Sequence, residues 1–180
     1  MTKTTKNPDG ILRLTLILLA FAAVTAFILG MVNMVTKDRI AAINAEKTNK
    51  AMQAVLPADS YTAVSYSGGD TLVLSVYSAG DKGYVVEVGP SGFGGTIDMV
   101  VGIDPAGTVT GVSIITMSET SGLGTNAVKE DFWGQYVGGA GPFAVNKDGG
   151  DIDALTGATV TSRAVTKGVN AALEAVKTLG

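Results

Sequence analysis

The chain has 180 residues, of which only 16% are charged, with no histidine, no cysteine and a net charge of −3. That length suits one domain with an appendage, and a mean hydropathy of +0.34, against roughly 25% charged residues in ordinary soluble domains, assigns part of the chain to lipid. The two zeros exclude imidazole or thiolate metal sites, iron–sulfur clusters, Cys nucleophiles, Ser-His-Asp triads and disulfides, and the acidic balance argues against a nucleic-acid footprint; redox or transfer chemistry here belongs to a borrowed cofactor, or to carboxylates and hydroxyls.

Residues 1–13 read as a short basic leader carrying Lys3, Lys6 and Arg13. From Leu14 to Val35 no charge occurs, and about 20 apolar residues suffice to cross the hydrocarbon core as a helix, so residues 14–35 are expected to span the bilayer. A cleaved signal peptide would have a shorter apolar region and a small-x-small cleavage site, which Asn33 to Lys37 does not offer. Lys37, Arg39, Lys47 and Lys50 on the carboxyl side nearly balance the leader, so the positive-inside count leaves the orientation open. A basic leader before an uncleaved apolar segment behaves as a signal anchor, which places the following domain outside the cell membrane. Residues 36–57 are expected to continue as a helical stalk, with Ile40, Ile43, Ala51, Met52 and Val55 near helical spacing and a stop at Pro57.

Residues 58–180 form the expected folded domain, an α+β unit with an antiparallel sheet packed by helices. Thr71–Tyr77, Tyr84–Val88, Thr96–Ile103 and Val109–Thr116 are short β-type runs between glycine-bearing turns, four or so strands. Asp104-Pro105-Ala106-Gly107 suits a type I turn with a bulge. Asn126–Val137 is weakly helical, and from Ser162 to Leu179 the residues Val165, Val169, Ala172, Leu173 and Val176 recur at threes and fours, an amphipathic helix for the sheet.

Three stretches call for weighing as chemistry. Asp153 to Ser162 runs into the last helix and is crowded with the hydroxyls of Thr156, Thr159, Thr161 and Ser162; a helix start is a seat for phosphate, yet the same residues also serve as plain caps. Glu119 to Thr125 contains Gly122 and Gly124, which with Ala127 stand at G-x-G-x-x-A spacing, but no βαβ unit surrounds them, so the stretch reads as a glycine loop beside a flat ligand rather than a Rossmann turn. Gly92-Phe93-Gly94-Gly95-Thr96 is either a bulged turn or a ligand-facing loop.

The stretch Asp153-Ala154-Leu155-Thr156-Gly157-Ala158-Thr159 resembles the flavinylation motif, Asp-x-x-(Ser/Thr)-Gly-Ala-Thr, of the FMN-binding domain family found in RnfG proteins of the Rnf ion-translocating electron-transport complexes and in the C subunit of the sodium-pumping NADH:quinone oxidoreductase. Gly92 to Ile103 is similar to the family's glycine-rich lead-in to a strand. Glu119 to Gly124 is similar to its Glu-Thr-Pro-Gly-Leu-Gly loop, with Ser121 where the family usually has proline. The resemblance covers roughly Tyr84 to Leu179 and the single anchor, and one span favours the G or C type over the many-span B and D subunits.

The resemblance implies covalent FMN, attached by a phosphoester to Thr159 by an ApbE-type flavin transferase that uses FAD and magnesium and reads the motif through Asp153. It implies ring contacts from Glu119, Thr120, Gly122, Leu123 and Gly124, a phosphate seat at Thr156, Gly157, Ala158, Thr161 and Ser162, and no protein metal site. It further implies a single-pass protein of the cell membrane, with its domain on the outer face and other membrane subunits as partners. Its role is then that of an electron carrier in a translocase coupling ferredoxin and NAD to ion movement, not that of an enzyme acting alone. The C subunit of the quinone reductase, a membrane-tethered scaffold without cofactor and a stand-alone flavoprotein reductase are the alternatives.

Overall fold

The computed structural model describes residues 8–179; Lys3 and Lys6 of the leader lie outside the described residues. The chain divides into two compact units, one up to Ala45 and one from Glu46 on. A single helix, α1 (Pro8–Val55), runs through the boundary and through the expected division between anchor and stalk. Pro8 stands at its first position, where a missing N–H leaves no bond unmade.

In the first unit the side chains of α1 face outward all round: Leu14, Leu18, Phe21 and Phe27 are each more than half exposed. The helix includes a stretch of mean hydropathy 2.5, none of it buried within the protein. It is long and apolar enough to cross a membrane. Its hydroxyls do not ask for water, because Thr15, Thr25 and Thr36 each donate to the carbonyl four residues back, at 3.0, 2.8 and 2.8 Å.

The second unit is a five-stranded antiparallel sheet in sequence order: β1 (Thr62–Val64), β2 (Val73–Ser78), β3 (Tyr84–Val88), β4 (Asp98–Ile103) and β5 (Val109–Thr116). Four strands match the runs expected from sequence; β1 is an addition, too short to stand out, and pairs Thr62 with Ser78 and Val64 with Val76. The Asp104 turn forms as expected, with Asp104 Oδ1 accepting the amides of Ala106 and Thr108 and Gly107 at φ +80°.

Both faces of the central strands are covered, which explains why β3 and β4 are almost continuously apolar rather than alternating. On one face Val86, Val88, Met99 and Val101 pack with Val165, Val169 and Ala172 of α3 (Thr159–Lys177). On the other, Val85 and Val100 meet Ala51, Met52 and Val55 from the end of α1. Of the stalk stripe only these last three bury; Ile40 and Ile43 are about half exposed. The α1 end can lie flat because Gly102 and Gly111, paired across β4 and β5, leave room for it: a Cβ on Gly111 would stand 3.1 Å from Val55 Cα. Thr110 Oγ1 then donates to the Val55 carbonyl at 2.6 Å, one of the carbonyls a helix end leaves without a partner.

The region expected to be weakly helical breaks into a 3₁₀ turn, Gly124–Val128, a single α-turn, α2 (Glu130–Trp133), and a second 3₁₀ turn, Gly134–Tyr136. It serves to bring Tyr136 under α3. There the phenol is fully buried, stacked edge-on to Phe132 and Phe143, and hydrogen-bonded to Thr166 Oγ1 at 2.8 Å. Burial pushes the Tyr136 phenol up to about 12. The folded protein therefore keeps a proton that the unfolded chain releases near pH 10, and this contribution, about 3 kcal/mol, is present below pH 10 and lost as pH rises to about 12. Tyr136→Phe should cost about 1 kcal/mol at neutral pH. In thermal unfolding of the full chain in detergent, the gap between variant and wild type should narrow from pH 10 upward and reverse before pH 12; a constant gap would contradict the assignment.

Candidate functional site

Three segments far apart in sequence meet at one end of the sheet. Asp98, at the start of β4, pairs with Thr116, at the end of β5, so the glycine loop that precedes β4 and the Glu119 loop that follows β5 emerge side by side. The first turn of α3 closes the third side, where Thr161 Oγ1 donates to Glu119 Oε2 at 2.6 Å. Between them lies a cleft of about 440 Å³, within the ~300–1,000 Å³ of small-molecule sites.

Of the residues singled out by sequence, Glu119, Thr120, Leu123, Gly124, Gly157, Ala158, Thr159 and Thr161 line this cleft. Gly122, Thr156, Ser162 and Asp153 are not in its lining. Gly122, at φ +75°, shapes the turn whose N–H meets Thr125 Oγ1. Ser162 is fully buried beneath the site: its hydroxyl accepts the Leu155 amide at 2.9 Å and donates to the Ala158 carbonyl at 3.0 Å. Asp153 is fastened at the surface, its amide to Gln135 Oε1 and its carboxylate to Asn146 Nδ2.

Phe93 and Val160 also line the cleft; Phe93 belongs to the glycine stretch read from sequence as either a bulged turn or a ligand-facing loop, and Val160 is not singled out by sequence. Phe93 is 73% exposed at the tip of the glycine loop. An aromatic residue set among glycines was the available signal. With Leu123 and Val160, both more than two-fifths exposed, it gives the cleft an apolar rim.

The start of α3 shows what the hydroxyls do. No side chain caps the helix, and Ala158 stands at the cap position. Thr161 is committed to Glu119 and Ser162 to the preceding turn, so the cap reading of this segment does not hold. Among the described residues no side chain takes up the first amides of α3. Thr159 stands at the cleft wall, and among the described residues no hydrogen bond engages its hydroxyl. Arg163, one turn on, is held by Asp148 at 2.8 and 2.5 Å; the guanidinium's hydrogen bonds keep the Asp148 carboxyl below its ordinary range. Arg163 is not in the cleft lining, and no lysine or arginine is.

An apolar-rimmed cleft beside the start of an uncapped helix suits a flat aromatic ligand that carries a phosphate.

Comparison with known proteins gives the family. The FMN-binding domain family matches residues 92–174 and the RnfG N-terminal region matches residues 1–55. The G subunit of the Na(+)-translocating ferredoxin:NAD(+) oxidoreductase complex of Acetobacterium woodii is 34% identical over 94% of this chain and 93% of its own length. The chain belongs to the RnfG family. The G subunit of the ion-translocating oxidoreductase complex of Vibrio vulnificus is 32% identical over 91% of this chain and 88% of its own. That of the proton-translocating ferredoxin:NAD(+) oxidoreductase complex of Clostridium ljungdahlii is 46% identical over 53% of this chain and 54% of its own. The FMN-binding match takes in all three cleft segments.

The cleft is sensitive to added bulk at its glycines. A Cβ on Gly124 would lie 2.7 Å from Glu119 Oε2 and 2.8 Å from Thr161 Oγ1, so Gly124→Ala must part those two groups. We expect a loss of about 1–3 kcal/mol, read as a lowered midpoint in chemical unfolding of the full chain; an unshifted midpoint would mean that the contact is not tight.

Proposed function

We propose that the chain carries FMN esterified to Thr159 Oγ1 and relays electrons within a membrane ion-translocating oxidoreductase complex of the Rnf type. The observation that carries this reading is the state of the hydroxyls at the start of α3. Thr161 and Ser162 are buried and bonded, Thr156 is outside the cleft lining, and Thr159 stands at the cleft wall beside unfilled helix amides.

In the attachment reaction an ApbE-type transferase, with magnesium, moves FMN from FAD. The Thr159 Oγ1–P bond forms, the pyrophosphate bond of FAD breaks, AMP leaves and the hydroxyl proton passes to the transferase. Asp153, exposed on the lead-in to the site, is the recognition point for that enzyme. The remaining negative charge of the phosphodiester is stabilised by the first amides of α3. Gly157, at φ +75°, turns the chain into the helix without a side chain in the way.

FMN when bound supplies one- and two-electron redox chemistry. The chain's residues contribute apolar walls at Phe93, Leu123 and Val160 and the hydrogen-bonding edge of the Glu119 loop, including Thr120. A covalent bond also removes the dependence of occupancy on a dissociation constant, which matters for a domain on the outer face of the cell membrane, where free flavin is dilute. The relatives' names speak of complexes that join ferredoxin, NAD(+) and ion movement. In such a complex this chain is one carrier among several subunits.

The test is a denaturing gel of full-length protein co-expressed with its flavin transferase. The wild-type band should fluoresce under ultraviolet light and Thr159→Ala should be dark, with one added FMN mass on the wild-type peptide containing Thr159. A dark wild-type band would favour the tethered scaffold instead.

A further inference from the structure

Glu119 differs from the other residues of the cleft wall in that both its carboxylate oxygens are already engaged within the protein. Oε1 accepts the amides of Phe93 at 2.9 Å and Gly94 at 3.0 Å, and Oε2 accepts the Thr161 hydroxyl at 2.6 Å. The residue is only 9% exposed, and it takes part in none of the ion pairs among the described residues. A buried carboxylate held by three donors and no cation is an acceptor-only group used at close to full capacity.

Two glycines around it, Gly92 and Gly124, are explained by the carboxylate itself. A Cβ on Gly92 would collide with Glu119 Oε1, and one on Gly124 would crowd Oε2. A Cβ on Gly94 would collide with the carbonyl of Ser118, the residue before it. Gly92 and Gly124 thus owe their small size to the seating of one side chain, and Gly94 to the close passage of the two loops, independently of any ligand.

We infer that Glu119 is a positioning residue rather than a ring contact: one arm holds the Phe93 wall, the other holds the first turn of α3, and together they set the distance from the apolar wall to Thr159. This rests on the FMN reading above. The same carboxylate places a fixed negative charge in the cleft wall, and a negative charge beside an electron acceptor opposes its reduction.

The experiment compares full-length wild type, Glu119→Gln and Glu119→Ala in detergent, co-expressed with the flavin transferase. Gln keeps both arms, its Oε1 accepting the two amides and its Nε2 donating to Thr161 Oγ1, but removes the charge. Ala removes the arms. Amide hydrogen exchange reads the arms without reference to flavin: Phe93 and Gly94 should exchange about tenfold faster or more in the Ala variant and near the wild-type rate in the Gln variant. With flavin attached, the Gln variant should keep its fluorescent band and show a more positive midpoint potential in redox titration. The Ala variant should lose most of its attachment, by about tenfold or more.

Equal exchange in all three proteins overturns the brace. A Gln variant whose potential equals that of wild type overturns the role of the charge. Should the Ala variant fail to fold, Thr161→Val cuts the α3 arm alone, and it should reduce attachment at Thr159 while Phe93 and Gly94 stay protected; full attachment in Thr161→Val overturns the proposal. A dark wild-type band with the exchange pattern as expected overturns the FMN reading and leaves the brace standing.

Discussion

A carboxylate taken out of water has to be given donors, and at Glu119 that requirement organises one end of the molecule. The donors come from a loop 25 residues earlier in the chain and from a helix 42 residues later, so meeting them fastens together two loops that the pairing of β4 with β5 sets side by side and adds the start of α3 to them. Leaving a buried charge without partners costs several kcal/mol. The cleft is therefore an outcome of polar satisfaction as much as of hydrophobic packing.

Placement of that cleft depends on how α3 lies on the sheet. Gly168 lets the helix approach so closely that a Cβ there would crowd Met99, Pro90 and Val88. Asn170 ties the helix to both backbone groups of Phe143, and Thr166 to Tyr136. With the helix held along its length, its first turn and Thr159 have little freedom of position. On the opposite face the end of α1 is seated on the Gly102–Gly111 pair, so both covers of the sheet are locked where glycine removes a side chain.

A carrier makes modest chemical demands, and the site is consistent with that. It lacks histidine and cysteine because the whole chain does, and its polar groups are engaged mainly with each other. What it offers a ligand is a wall of apolar side chains, a helix end and one hydroxyl. Those features suit holding a cofactor whose reactivity is its own.

Much of this was legible in the linear sequence because its causes are local. The uncharged run from Leu14 to Val35, the period of the last helix, the Asp104 turn and the crowding of hydroxyls around Thr159 each follow from neighbouring residues, and the motifs from Gly92 onward pointed to the FMN-binding domain family that matches residues 92–174. The short strand β1, the split of the Asn126–Val137 region into separate turns and the burial of Ala51, Met52 and Val55 but not Ile40 and Ile43 were not legible, because each depends on what packs against it. The same holds within the site. Sequence alone presented Glu119 as a ring contact and the hydroxyls as possible caps, since composition names a donor or acceptor without naming its partner. Only the tertiary structure decided that Glu119 faces Phe93, Gly94 and Thr161, that Ser162 is buried beneath the turn, and that Thr159 stands at the cleft wall, because hydrogen bonds between distant segments form only where the fold has already brought them within reach.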